Sequence, residues 1–389
     1  MKKIFFFTSS RSDFGIQLPL IKKFCQSKKF KTYTIITGSH FDKKFGYSFN
    51  EIKKSKIQNI ISFKINYKTE NPVNISSFLS KILIKISKTF HKLKPDYLIV
   101  LGDRFEIIVP VMVANHFKIP IIHLHGGEVT EGSMDEFTRH AVSKMSHIHF
   151  PSTANYKKRL IQLGENPKNI YNFGSISLSD IKNIKIYKKI KLLKKLQIEN
   201  NNKNMIVTYH PEFLFNEKTT KKNFSLICKV LSTLKNFNII FTAPAPELNS
   251  NSIIYLIKDF CKKNMNAKYI ESLGRITYLS CLKNFDVLLG NSSSGIIEAP
   301  YFNIPVINIG KRQSGRDCSL NIINSNYTYN DLLNKINYST SKEFKSKIKK
   351  SKSIYFQKNT VDKIYKKILN LRINESLSKK FRDLWKILK

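Results

Sequence analysis

Short apolar runs alternate along the chain with longer stretches whose apolar residues fall at helical intervals. Ile4–Phe7, Tyr33–Thr37, Tyr97–Leu101, Ile119–Leu124 and His147–Phe150 are rich in β-branched and aromatic residues and bounded by Gly, Pro, Asp or Ser. They are predicted as strands. Gln17–Cys25, Ser76–Lys92, Ile107–Phe117 and Asp135–Lys144 are predicted as the helices between them. That rhythm implies a parallel sheet covered on both faces. Around residues 181–204 the sequence turns Lys- and Asn-rich without a strong strand signal, as an inter-domain connection would. The rhythm then restarts with Met205–Tyr209, Phe237–Thr242, Ala267–Ile270, Val287–Leu289 and Pro305–Ile309 as strands. The C-terminal stretch is Lys-rich and helical, and Phe381, Leu384, Trp385 and Leu388 would line one face that packs back onto a domain. No repeat of fixed period is present. The expected fold class is α/β: two Rossmann-like domains, 1–183 and 184–367, facing each other across a cleft. Ligands of such open sheets sit at the carboxyl ends of the strands.

Composition adds one question. Of the 389 residues, 41% are hydrophobic and 24% charged, a globular balance, yet the formal net charge is +40. A basic surface invites a nucleic-acid partner. The kind of base argues against it. Only nine of the 67 basic residues are arginine, and the lysines are scattered over the whole chain. Phosphate-reading surfaces concentrate Arg, whose fork matches phosphate geometry. Six of the nine, Arg11, Arg104, Arg139, Arg275, Arg312 and Arg316, lie in or beside the Gly- and acid-containing segments below. No run approaches the ~18 apolar residues that span a bilayer, and the apolar stretch after Met1-Lys2-Lys3 is too short for a signal peptide. The cysteines, Cys25, Cys228, Cys261, Cys281 and Cys318, are odd in number and contain no C-x-x-C pair. Reduced thiols in a cytoplasmic protein, without a membrane or nucleic-acid partner, are the expectation.

The segments that can carry chemistry sit at strand ends. Leu289-Gly290-Asn291-Ser292-Ser293-Ser294-Gly295 runs from a strand into a short helix, with Glu298 one turn after Ser294. Small residues admit a ligand close to the backbone, hydroxyls and free N–H groups suit an anion, and a carboxylate suits vicinal hydroxyls such as those of a ribose. Lys311, Arg312 and Arg316 follow the next strand, where they reach the same mouth. Gly102-Asp103-Arg104 ends another strand, with Asp103 either projecting into the cleft or capping the next helix. His123-Leu124-His125-Gly126-Gly127-Glu128 leads to Asp135 and Arg139, offering several carboxylates whose pKa values can split into acid and base. His123 and His125 fall on one face of a strand and raise the question of a metal pair. Asp135 and Arg139 have the spacing of a helical ion pair. Thr8-Ser9-Ser10-Arg11-Ser12-Asp13 offers hydroxyls and an arginine to a phosphate, and no G-x-G-x-x-G fingerprint occurs anywhere. His210, before Pro211 at a strand end, is placed for proton transfer near neutral pH or is a satisfied structural histidine.

Taken in order, T-S-S-R-S-D-F-G, G-D-R-F-E, H-L-H-G-G-E-V-T-E-G-S-M-D-E-F-T-R-H, G-S-I-S-L-S-D, Y-H-P-E, G-N-S-S-S-G-I-I-E-A-P and N-I-G-K-R-Q-S-G-R cover nearly all of residues 1–320. This series resembles the hydrolysing UDP-N-acetylglucosamine 2-epimerase family, which includes bacterial enzymes feeding sialic-acid and legionaminic-acid synthesis. The resemblance implies a glycosyltransferase-B-like fold with a C-terminal helix, 368–389, returning to the first domain. It implies a UDP-sugar substrate, with Ser292, Ser293, Ser294 and the adjoining Gly295 at the diphosphate, Glu298 on the ribose and Arg11 reaching the diphosphate. It implies anti elimination of UDP to a 2-acetamidoglycal, then hydration to the free 2-epimeric sugar. The family's acids fall on Asp103 and Asp135, and its histidine on His210. Many relatives carry Glu where this chain has His125, so either His125 or Glu128 takes that proton-transfer role. Neither a redox cofactor nor an obligatory metal is implied, and a homodimer or homotetramer is. A non-hydrolysing epimerase and a glycosyltransferase share the frame.

Overall fold

The computed structural model describes residues 1–43, 46–67, 71–131, 133, 135–245, 247–371, 379–380 and 382–383. The chain divides into two compact units, Met1–Glu128 with Met134–Asp180 and Tyr355–Lys389, and Val129–Ser133 with Ile181–Ile354.

The first unit is built from β1 (Lys2–Thr8), α1 (Arg11–Cys25), β2 (Phe30–Ile36), α2 (Phe49–Lys54), β3 (Ile60–Ser62), α3 (Pro72–Leu93), β4 (Tyr97–Leu101), α4 (Ile108–His116), β5 (Ile121–Leu124), α5 (Asp135–Met145), β6 (Ile148–Phe150) and α6 (Ala154–Gln162). All its strands are parallel, in the order β3-β2-β1-β4-β5-β6. Side chains alternate across the pleat, so a strand buried on both faces reads as an unbroken apolar run. β1 shows this directly: Ile4 and Phe6 join one core with Leu20 and Phe24 of α1, while Phe5 and Phe7 join the other with Ile82 and Ile86 of α3.

The second unit contains α7 (Lys189–Leu196), β7 (Lys203–Thr208), α8 (Glu217–Leu231), β8 (Phe237–Thr242), α9 (Ser250–Lys263), β9 (Ala267–Ile270), α10 (Gly274–Asn284), β10 (Val287–Gly290), α11 (Ser293–Ile297), α12 (Ala299–Phe302), β11 (Val306–Ile309), β12 (Ile322–Ser325), α13 (Tyr329–Ser339) and α14 (Lys342–Lys349). Its parallel order, β12-β11-β10-β7-β8-β9, repeats the first sheet's. Both are Rossmann-like, and each reverses strand order once, between β1 and β4 and between β7 and β10. Among the described residues no helix is long and apolar enough to cross a membrane.

Four features depart from the periodicity. Each sheet has an edge strand, β3 or β12, that the apolar pattern does not announce. α1 starts at Arg11 rather than Gln17, because Ser10 caps it by accepting the Asp13 N–H at 3.3 Å. The Lys-rich connection holds α7, whose Leu192, Leu193 and Leu196 are buried in the second unit. At the C-terminus, α15 (Thr360–Leu369) sends Ile364 and Ile368 into the core of the first unit, followed by Leu371. Phe381, Leu384, Trp385 and Leu388 lie outside the described residues.

Beyond α15, Lys379 sits 2.5 Å from the buried carboxylate of Glu165, which also meets His149 Nε2 at 2.9 Å and Lys144 at 3.3 Å. Burial raises the Glu165 pKa, but His149 and Lys379 overcome it and hold the group at about 2. A carboxylate depressed on folding adds stability above its unfolded value and loses it as pH falls through the folded one. Glu165→Gln is therefore expected to destabilise the protein at pH 7, with the deficit shrinking between pH 4.5 and about 2. Melting curves across that window check it, and a deficit unchanged by pH would sink it.

Candidate active site

In the first unit the reversal between β1 and β4 gathers the opening serines and the first acids. Arg11 begins α1, partly exposed, 3.2 Å from Glu51. Asp13, one turn in, meets Ser9 Oγ at 3.3 Å and Arg104 Nε at 3.9 Å. Burial pushes its pKa up to about 6 against the pull of Arg104. Arg104 donates to both Glu106 oxygens, at 3.1 and 2.8 Å, and to the Tyr67 hydroxyl at 2.9 Å. Asp103 does not cap the following turn, whose N-cap is Arg104 without a side-chain bond. It pairs instead with Arg139.

Arg139 organises the neighbouring strand ends. This fully buried side chain projects from α5 and donates one nitrogen to Asp103. The other reaches the Glu128 carbonyl at 3.1 Å and the Glu136 carboxylate at 3.0 Å. Glu136 in turn meets His140 at 2.8 Å. Asp135, half-buried, is the first residue of the same helix. Glu128 is buried, accepts the Ser152 hydroxyl at 2.8 Å and lies 3.5 Å from His125 Nδ1. The glycines before it are required: Gly127 has φ +77°, and a Cβ there would sit 2.6 Å from the Tyr156 carbonyl.

His123 and His125 do not share a strand face, because β5 ends at Leu124 and His125 turns the chain with φ +62°. His123 has both nitrogens engaged, Nε2 at 2.7 Å from the Gly102 carbonyl and Nδ1 at 3.1 Å from Ser143 Oγ. Burial lowers its pKa to about 3. It is a core histidine, and no His/Cys/Asp/Glu group fit for a metal occurs among the described residues.

In the second unit the reversal between β7 and β10 carries the serine-rich turn. Gly290 has φ +145°, and a Cβ would lie 1.9 Å from the Thr208 carbonyl, so a side chain there would force the backbone to shift. Gly290→Ala is expected to destabilise the second unit by about 1–3 kcal/mol from the strained φ alone, checked by melting curves. Asn291 then clamps the backbone of His210, accepting its N–H at 2.7 Å and donating to its carbonyl at 2.8 Å. The Asn291 carbonyl receives Gln313 at 2.9 Å and Arg312 at 3.3 Å. Arg312 also pairs with Glu247 at 2.7 Å. Ser292 caps α11, its Oγ accepting the Ser294 N–H at 3.4 Å, and Ser294 Oγ meets the Tyr278 hydroxyl. Ser293 opens that helix. Gly295 is packed against the sheet, where a Cβ would meet Val306 and Leu288 at 3.2 and 3.3 Å. Glu298 and Arg316 are half-buried.

The His210 ring is more constrained than its position implies. Nδ1 accepts the Ala245 N–H at 2.8 Å, so the neutral ring carries its proton on Nε2. Burial, then Arg312, hold its pKa well below the usual value. Near neutral pH it is a hydrogen-bond donor through Nε2, not a group poised to titrate. Nearby, buried Glu212 accepts the Lys311 N–H and the Tyr327 hydroxyl, and Gly310 leaves room for it, since a Cβ there would be 2.0 Å from Oε1.

Thus the first unit brings together Asp103, Arg139, Glu128 and His125, and the second brings together His210, Asn291 and Arg312 beside the serine turn. Asn291, Glu136, Tyr278 and Gln313 were not singled out in the sequence. A polar side chain directly after a strand-ending glycine was the available signal for Asn291.

Comparison with known proteins bears on the family and the fold. A family model described as UDP-N-acetylglucosamine 2-epimerase matches residues 22–369. The chain is 37% identical over 391 residues to the GDP/UDP-N,N'-diacetylbacillosamine 2-epimerase (hydrolyzing) of Campylobacter jejuni subsp. jejuni serotype O:2, covering 98% of this chain and 99% of that one. It is 32% identical over 364 residues to the polysialic acid biosynthesis protein P7 of Escherichia coli, covering 93% and 92%. The crystal structure of the UDP-GlcNAc 2-epimerase from Neisseria meningitidis, bound to UDP-GlcNAc, superposes with a TM-score of 0.81 over 95% of this chain and 100% of that one. At 17% identity, this last likeness speaks for the fold.

Proposed function

The chain belongs to the UDP-N-acetylglucosamine 2-epimerase family, and we propose that it is a hydrolysing 2-epimerase of a nucleoside-diphosphate 2-acetamido sugar serving nonulosonic-acid biosynthesis. The observation that carries this reading is the near full-length 37% identity to a relative named as hydrolysing. That relative's name also favours a 2,4-diacetamido-2,4,6-trideoxyglucose substrate over N-acetylglucosamine and admits GDP beside UDP.

The reaction asks for a base, an acid and a charge-stabilised leaving group. A carboxylate takes the C2 proton, the C2–H electron pair becomes the C1=C2 bond, and the C1–O pair departs with the nucleoside diphosphate. Water then adds, its hydroxyl to C1 and a proton to C2, giving the free 2-epimer. Asp103 and Asp135 are assigned to proton transfer, together with Glu128 or His125. Ser292, Ser293, Ser294, Arg312, Arg316 and Arg11 are assigned to the diphosphate, Gly295 to the packing of that turn, and Glu298 to the ribose. His210, neutral and protonated on Nε2, supports the leaving diphosphate as a donor. All five cysteines are free thiols, which fits a cytoplasmic enzyme.

The test is to incubate the protein with UDP-N-acetylglucosamine and with UDP- and GDP-diacetamidotrideoxyglucose in deuterated water and follow products by NMR. Free 2-epimer deuterated at C2, with released diphosphate, is expected. An epimeric nucleotide sugar as the product would make the enzyme non-hydrolysing. Glu298→Ala is expected to weaken UDP binding by ~10–100-fold, the size of a lost hydrogen bond to a charged group. Unchanged affinity in a titration would remove Glu298 from the ribose.

A further inference from the structure

We propose that Asn291 is a positioning residue for the reaction. Its carboxamide locks His210 to the serine turn, so that the histidine's N–H and the turn meet the leaving diphosphate as one rigid unit. This deepens the epimerase reading above and rests on it.

β10 and β7 are paired up to Gly290 and Thr208, and the Asn291 N–H carries the ladder one step further by donating to the Thr208 carbonyl at 3.2 Å. From there the main chain turns into α11. The Asn291 side chain then takes over the ladder. Its Oδ1 accepts the His210 N–H at 2.7 Å, and its Nδ2 donates to the His210 carbonyl at 2.8 Å. Both directions are fixed, because a backbone N–H only donates and a backbone carbonyl only accepts. The carboxamide thus stands in for one peptide unit of a longer β10. An isosteric carboxylate could accept but not donate, so Asp does not reproduce the pair. Asn291 is 1% exposed and His210 8%, which leaves water little room to replace either bond.

The bonds run in the order of the strands, β11-β10-β7-β8, one strand exit to the next. After β11, Gln313 and Arg312 donate to the Asn291 carbonyl at 2.9 and 3.3 Å. After β10, Asn291 holds the His210 backbone. After β8, the Ala245 N–H donates to His210 Nδ1 at 2.8 Å. The backbone of His210 is therefore set from one side and its ring from the other, and its proton stays on Nε2. Ser292, which caps α11, follows Asn291 directly, so the same residue fixes where the turn begins. Donors that stabilise a departing anion work by being placed before the charge develops. Loss of the link is expected to act on turnover more than on ground-state binding.

Asn291→Ala removes the amide, and Asn291→Asp keeps its shape and acceptor while removing its donor. On the full chain with the diacetamido sugar nucleotide, each is expected to lose ~10²-fold in kcat, the cost of a catalytic group misplaced by a distant change. UDP affinity, read by titration, is expected to fall less than ~10-fold. Circular dichroism confirms folding, and Asn291→Asp serves where Asn291→Ala does not fold. A cycle with His210→Ala shows the route: once the ring is gone, the Asn291 substitution is expected to cost less than a further ~3-fold. Wild-type kcat in a folded variant, a fall in UDP affinity as large as the fall in kcat, or full additivity with His210→Ala overturns the proposal. Normal turnover in His210→Ala also overturns it, while leaving the epimerase reading intact. Nitrogen-15 spectra of histidine-labelled protein give a readout independent of activity, with the His210 signals identified by their loss in His210→Ala. Nε2 alone protonated in wild type, and mixed tautomers in the variant, support the proposal; a His210 spectrum unchanged by the substitution overturns it. A wild type inactive on every sugar nucleotide overturns the epimerase reading, and the kinetic claim made here falls with it.

Discussion

Replacing Asp103 by Asn is expected to lower turnover by ~10²–10⁴-fold, the usual contribution of a positioned proton-transfer group, while UDP affinity stays within a few-fold. Asn keeps the size and the hydrogen-bonding oxygen toward Arg139, so folding survives, but the amide cannot take a proton. Asp103 stands at the carboxyl end of β4, beside the point where the first sheet reverses, and its charge is matched by the buried Arg139. The residues assigned to the diphosphate and ribose, apart from Arg11, belong to the second unit, so a binding defect is not expected. Asp135→Asn is the companion variant. Rapid-quench measurement of nucleotide release, with C2 deuteration read by NMR, checks both. Full C2 exchange in either variant removes that acid from the mechanism, and a large fall in affinity with turnover kept would make it a binding residue.

The sequence announces both sheets because their central strands are buried on two faces, and such strands are uninterrupted apolar runs. β3 and β12 escape because each is only two isoleucines running into polar residues, Ser62 in β3 and Asn324 and Ser325 in β12. The polar first turn of α1 hides its start, and lysines hide α7, whose buried face is only three leucines. For the site, positions were legible and partnerships were not. Asp103, Glu128, His210 and the serine turn all lie at strand exits, which turn signals mark. That Asp103 meets an arginine 36 residues away, or that Asn291 clamps His210 from 81 residues away, depends on which strands become neighbours. The state of His210 is a further step removed. A backbone N–H from the loop after β8 decides its tautomer, and burial decides its charge, and neither is written in the residues around it.

Arg139→Ala is expected to destabilise the first unit by about 3–5 kcal/mol, the cost of breaking a buried ion pair by deleting one partner. In a unit of this size that corresponds to a fall of roughly 6–20 °C in Tm. The loss has two parts. The guanidinium vacates three acceptors, the carboxylates of Asp103 and Glu136, each only 22% exposed, and the carbonyl of Glu128. The side chain is also among the largest that are fully buried, so truncation opens a cavity. Arg139→Lys is expected to recover only part of the loss, because an ammonium cannot reach three acceptors in a planar fork. A double-mutant cycle with Asp103→Asn separates the parts: if charge compensation dominates, the double variant is more stable than the two single effects added together. Strict additivity in calorimetry would assign the cost to the cavity and to Glu136, and Arg139 would then hold Asp103 in place without balancing its charge.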